Sequence, residues 1–188
     1  MKLPVFIEAL SQVLPLIEAT DAAAGPVALE AACERLLGWV RDVRGRGRKV
    51  IFLGNGGSAA IASHQAVDYW KNGGVRAVAF NDASMLTCIA NDFGFEHVFA
   101  KPLEMFADAG DLTIAISSSG RSADILNGVA AGRARGCQVV TLSGFAPGNP
   151  LRRLGDLNFY VPADSYGLVE ISHLAICHGV VEQLMVER

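Results

Sequence analysis

Apolar residues recur at two different periods along this chain, and the change of period divides it in two. Residues 3–20 place Phe6, Leu10, Val13, Leu14 and Ile17 at helical spacing. Residues 26–44 repeat the pattern with Leu29, Cys33, Leu36, Leu37 and Val40. Between the two predicted helices Gly25-Pro26 acts as a breaker, with Pro26 suited to a first helical turn. Gly45-Arg46-Gly47 ends the second helix. From there short apolar runs alternate with helical patterns. Strands are expected at 50–53, 76–80, 111–116, 139–142 and 157–161, and helices at 58–70, 85–90, 97–109, 122–135 and 167–186. Gly136 is placed to cap the fourth of these helices. Such alternation implies an α/β fold: a three-layer, open parallel sheet covered by helices on both faces. No repeat, linker or low-complexity segment breaks it. Residues 1–188 therefore read as one domain, with residues 1–46 a helical extension that packs on the domain or in an oligomer interface.

Two of the predicted strands run straight into loops suited to an anion. Gly54-Asn55-Gly56-Gly57-Ser58 follows the strand at 50–53. Glycines let a backbone approach a ligand, and the next helix offers free N–H groups at its positive end. The loop is neither a GxGxxG fingerprint nor a P-loop, and a plain tight turn also explains it. Ser117-Ser118-Ser119-Gly120-Arg121-Ser122 follows the strand at 111–116. Helix capping accounts for one serine, not four. Four hydroxyls beside a helix N-terminus supply what a phosphate needs without a fixed charge. Both loops lie at strand C-termini, the ligand edge of such sheets.

Composition narrows the class of ligand. The 188 residues are 51% apolar and 19% charged, with a net charge of −3, which excludes a basic nucleic-acid footprint. The one basic run, residues 41–49, reads as a solvated helix end. No stretch reaches the ~18 uncharged apolar residues of a membrane span. Glu8 and Glu18 interrupt the N-terminal apolar run, and no signal-peptide cleavage pattern follows it. A cytoplasmic protein is expected, with Cys33, Cys88, Cys137 and Cys177 as buried free thiols.

The stretches GNGGSAAIASH (54–64), IANDFGFEHVF (89–99), GDLTIAISSSGRSADIL (110–126) and VEISHLAICH (169–178) together resemble the SIS (sugar isomerase) family of phosphosugar proteins, and within it the phosphoheptose isomerase branch. The similarity runs over nearly the whole chain. It implies a SIS fold with two additional N-terminal helices. It also implies that Asn55, Gly56, Gly57 and the neighbouring Ser58, with Asn91 and Asp92, contact the sugar. Ser117, Ser118, Ser119 and Ser122 would hold its phosphate, with Ser118 standing where the family carries Thr. A zinc-binding quartet maps onto His64, Asp68, Glu170 and His178, one divalent ion per site, in homotetramers whose sites lie between subunits. Two members depart from the pattern: Asp68 replaces Glu, and Glu170, which would also touch substrate, replaces Gln.

The residues can be weighed apart from the resemblance. His64 and Asp68 are i and i+4, so they share a helix face and can ligate one ion, though a surface pair has the same spacing. The adjacent loop, which sets this helix at the ligand edge, favours the ligand reading. Glu170 and His178 lie ~80° apart around a helix and ~12 Å apart along it. They meet one ion only by stretching toward each other; otherwise they serve different parts of the site, or sites shared between subunits. His173 reads as packing or interface and His97 as surface.

The implied activity is aldose–ketose isomerisation through an enediol, most directly of sedoheptulose 7-phosphate to D-glycero-D-manno-heptose 7-phosphate, feeding heptose synthesis for lipopolysaccharide or other surface glycans. Asp68 would act as base and His178 as acid. Two alternatives stay open: a non-catalytic phosphosugar-binding regulator, such as a partner of a replication initiator, and an isomerase of another sugar phosphate. Direct nucleic-acid and membrane partners are not expected.

Overall fold

The computed structural model describes residues 2–186. Five parallel strands form the centre: β3 (Lys49–Gly54), β4 (Arg76–Ala79), β5 (Leu112–Ser117), β6 (Gln138–Ser143) and β7 (Leu157–Tyr160). Two short strands, β1 (Glu18–Asp21) and β2 (Pro26–Val27), extend the sheet beyond β7 as an antiparallel hairpin. The spatial order is β2-β1-β7-β6-β5-β3-β4. The helices are α1 (Leu3–Val13), α2 (Leu29–Gly45), α3 (Gly56–Lys71), α4 (Ala83–Phe93), α5 (Ala100–Phe106), α6 (Ala123–Ala134) and α7 (Tyr166–Val186).

The central strands are buried on both faces, which is why they read as unbroken apolar runs. In β3, Val50 and Phe52 enter one core with Leu36, Val40, Tyr69, Cys177 and Val181. Ile51 and Leu53 enter a second core on the opposite face with Phe99, Leu103, Ile125 and Val129. That division follows the two-residue side-chain period of a strand.

The N-terminal segment departs from the expected helix over 3–20. Its helix stops at Val13, a 3-10 turn takes Leu14–Leu16, and the chain then extends into β1. Glu18 pairs with Tyr160 and Asp21 with Leu157, so this segment belongs to the sheet. Asp21 closes the hairpin by accepting from the Ala23 and Gly25 amides at 2.9 Å. Pro26 sits in the edge strand, where no amide donor is needed, and α2 begins at Leu29. Ile17, just before β1, and Ala19, in β1 between β2 and β7, are nevertheless buried, because both pack into the core. The predicted helix at 97–109 is a 3-10 turn at Phe95–His97 followed by α5. The thiols are all free, but Cys88 is exposed and Cys33 half-buried; only Cys137 and Cys177 are buried as expected.

The strand order also locates the ligand edge. From β3 the chain moves outward to β4, then returns to place β5 on the other side of β3. The loops leaving β3 and β5 therefore part to opposite directions and leave a crevice between them, the usual switch point of an open α/β sheet. Both anion-type loops open into it.

Candidate functional site

A cavity of about 210 Å³ lies at this crevice. Asn55, Gly56, Gly57 and Ser58 form one side, and Ser117, Ser118, Ser119 and Ser122 the other. Glu170 and Tyr166, from α7, close it. Among the described residues no lysine or arginine lines it. The N-termini of α3 and α6 both begin at the cavity and turn their positive ends toward it.

The serine loop is built to leave hydroxyls available. Gly120 has φ +62°, and a Cβ there would overlap the Asn149 side chain. Its amide donates to the Ser117 carbonyl at 3.0 Å. Ser122 is the N-cap of α6, yet its side chain caps nothing; its Oγ lies 3.4 Å from Ser117 Oγ. Ser118 Oγ is buried without a partner among the described residues. A buried hydroxyl with no acceptor or donor costs free energy unless a ligand or water meets it.

The glycine loop is locked from behind. Asn55 donates from Nδ2 to the buried Asp124 carboxylate at 2.7 Å. A carboxylate only accepts, so the amide orientation is set, and Asn55 Oδ1 is left to accept from a hydroxyl. A Cβ on Gly57 would overlap the Glu170 carboxylate, so only glycine permits this approach.

A second cluster lies about two turns further along the same helices. His64 Nε2 is 2.9 Å from Asp68 Oδ2, and His178 Nδ1 is 3.7 Å from the same oxygen. The two imidazoles meet edge to face at 5.2 Å. Asn72 donates to the other Asp68 oxygen at 3.2 Å. The ligating atoms of the trio lie within 4.8 Å of one another. Two imidazoles and a carboxylate, with the remaining side open, form a donor set that suits a divalent metal such as zinc.

Glu170 is not one of this trio. The resemblance implies a place for it in the metal quartet, but its carboxylate lies over Gly57, in the cavity, which is one of the alternatives its spacing from His178 left open. Asn91 and Asp92 are exposed on α4 and line no part of the cavity; Asn91 donates to Asp92 at 2.8 Å. His173 is fully buried and packs, its Nε2 donating to the Ser143 carbonyl at 3.1 Å beneath the serine loop. Burial pulls its pKa down to about 4, partly offset by that hydrogen bond. Cys177 is likewise inert, its thiol pushed up to about 12 by burial.

Sequence reasoning missed Asp124, Asn149 and Tyr166. Asp124 reads in the sequence as an ordinary acidic residue in a first helical turn. Asn149 donates to Ser143 Oγ, the Gly144 carbonyl and the Ala146 carbonyl at 2.9–3.2 Å, and only its neighbour Pro150 marked an extended turn. Tyr166 gave no signal beyond a lone aromatic before a helix.

The SIS domain family matches residues 27–144. A phosphoheptose isomerase of a Bradyrhizobium species is 38% identical over 168 residues, 86% of this chain and 84% of its own. The structure of a phosphoheptose isomerase from Neisseria gonorrhoeae superposes with a TM-score of 0.78 at 31% identity, covering 84% of this chain and 87% of that one. One from Francisella tularensis superposes at 0.84 over 98% and 96%; at 24% identity it attests the fold.

Proposed function

Because the chain belongs to the SIS domain family, we propose that it is a phosphosugar aldose–ketose isomerase that converts sedoheptulose 7-phosphate to D-glycero-D-manno-heptose 7-phosphate. The observation that carries the reading is the division of the site. Hydroxyls and helix N-termini gather at the crevice. The carboxylate and imidazoles gather roughly 12 Å along α3, eight residues from Gly56 to His64. A substrate that spans the two carries its phosphate far from its reacting carbons. A long-chain ketose phosphate has that shape.

In the reaction, the serine loop and the two helix N-termini hold the phosphoryl group. Asn55 Oδ1 accepts from a sugar hydroxyl, held by Asp124 behind it. Asp68, between the two imidazoles, takes a proton from the hydroxymethyl carbon beside the carbonyl. The freed pair forms the carbon–carbon double bond while the carbonyl pair moves onto its oxygen, which takes up a proton to give the enediol. The terminal hydroxyl then gives up its proton and becomes the aldehyde oxygen, and the double-bond pair takes a proton from His178 at the former carbonyl carbon. His64, Asp68 and His178 would hold a zinc ion, which when bound supplies positive charge beside the enediolate oxygens. Glu170, across the cavity, contacts substrate.

The product would enter heptose synthesis for surface glycans, in the cytoplasm; among the described residues no helix is long and apolar enough to cross a membrane. The exposed α1 residues Leu3, Val5 and Ile7, and the distance of Asn91 and Asp92 from the cavity, support a homotetramer with sites completed between subunits. Light scattering at a single chain mass would remove that assembly. The activity is tested by NMR of sedoheptulose 7-phosphate incubated with the protein, with and without zinc. Aldose product is expected, with turnover lost at least ~100-fold in Asp68→Asn and in His178→Ala while phosphosugar binding persists. Undiminished turnover in either variant removes its assigned role. Tight phosphosugar binding without conversion favours a regulator instead.

A further inference from the structure

The side-by-side course of α3 and α7 gives the cavity a direction. Gly57 lies against Glu170, and seven residues on, His64 meets His178. The helices therefore run the same way, with the reacting cluster toward their C-terminal ends. Tyr166 is one turn before Glu170, on the opposite side of the cavity from that cluster. It lines the cavity together with the serine loop, at the end away from that cluster.

Tyr166 is 63% exposed, a large aromatic residue left in water at the cavity. Phe145 meets it edge to face, with centroids 4.8 Å apart and planes at 81°. Among the described residues Phe145 is one of two non-glycine residues with positive φ, at +55°, a conformation disfavoured for a residue with a Cβ. The fold holds it there from both sides. Its amide donates to the Ala163 carbonyl at 3.0 Å, and its carbonyl accepts from the Tyr160 hydroxyl at 2.7 Å. The preceding Gly144 donates to the Ser118 carbonyl at 3.0 Å, which ties this support to the serine loop. An exposed ring braced by a left-handed residue, and fastened to the loop beside it, is a built wall.

We infer that Tyr166, braced by Phe145, is an end-stop at the phosphate side of the cavity that selects terminal phosphomonoesters and rejects phosphodiesters and nucleotide-linked sugars. The inference rests on the reading of this cavity as a phosphosugar site. A monoester ends at its phosphoryl oxygens, within the serine loop. A diester continues past them, into the ring. Tyr166 is thus a specificity-determining residue and takes no part in proton transfer.

The test compares binding of sedoheptulose 7-phosphate with binding of its methyl phosphodiester, in the wild type, Tyr166→Ala, Tyr166→Phe and Phe145→Gly. Glycine tolerates the left-handed backbone, so the last variant removes the brace without disturbing the turn. The wild type is expected to prefer the monoester. Tyr166→Ala and Phe145→Gly are expected to narrow that preference about tenfold through tighter diester binding. Tyr166→Phe keeps the wall and the preference. A merely structural role would instead weaken both ligands together and lower the melting temperature. A preference unchanged within twofold in Tyr166→Ala, or that joint weakening, overturns the end-stop alone. Failure of the wild type to bind the monoester overturns the phosphosugar reading, and the end-stop with it.

Discussion

At the scale of single residues, what matters at this site is which polar atoms are already satisfied. Asn55 is oriented by Asp124, so its free atom is an acceptor. Ser122 caps no amide and Ser118 Oγ meets nothing, so their hydroxyls are available. His173 is the opposite case. It is sealed under the loop, where burial holds its pKa near 4, below the usual value near 6.5. Between those values the unfolded chain binds a proton that the folded chain does not, so stability falls as pH drops from 6.5 toward 4. The loss from this residue is roughly 3 kcal/mol once both states are protonated. Urea unfolding at pH 7 and pH 4.5 checks this: His173→Gln should flatten the pH dependence, and an equally steep dependence in the variant would refute the assignment.

At the scale of elements, the segment after β6 buttresses the phosphate loop. The fully buried Asn149 spans that segment with its two N–H donors shared among three acceptors, and its Oδ1 accepts from the Arg152 amide at 3.1 Å. It also abuts Gly120, whose carbonyl takes the Leu151 amide. Asn149→Ala strands several buried acceptors and should cost ~2–4 kcal/mol, with phosphate affinity falling alongside. Calorimetry showing a loss under ~0.5 kcal/mol would contradict the buttress, since that is the size of a neutral surface change. The central strands and both loops were legible in the sequence because double burial and glycine-serine chemistry leave local marks. The β1–β2 hairpin was not, because Ile17 and Ala19 are buried by a distant partner, β7. Nor was Asn149, whose role comes from contacts with Ser143 and Gly120, brought near only by folding. The His64–Asp68 pairing was readable from its i, i+4 spacing, whereas the arrival of His178 beside it depends on how α7 packs on α3. The same packing carries Glu170 to Gly57 and out of that trio.

At the scale of the molecule, strand order, helix direction and charge combine into one arrangement. The switch between β3 and β5 opens a crevice, two helices point their N-termini into it, and no basic side chain among the described residues lines it. On the proposed function, recognition of the phosphoryl group falls to hydroxyls, amides and helix ends, with the proposed proton-transfer groups further along the same helices. Isothermal titration of sedoheptulose 7-phosphate and of unphosphorylated sedoheptulose tests this most directly, in the wild type and in a Ser119→Ala/Ser122→Ala double variant. The wild type is expected to bind the phosphate ester at least ~100-fold more tightly than the free sugar, and the double variant to lose at least ~10-fold of that affinity. Equal binding of both sugars by the wild type, or undiminished ester binding by the variant, would contradict phosphate capture by the serine loop.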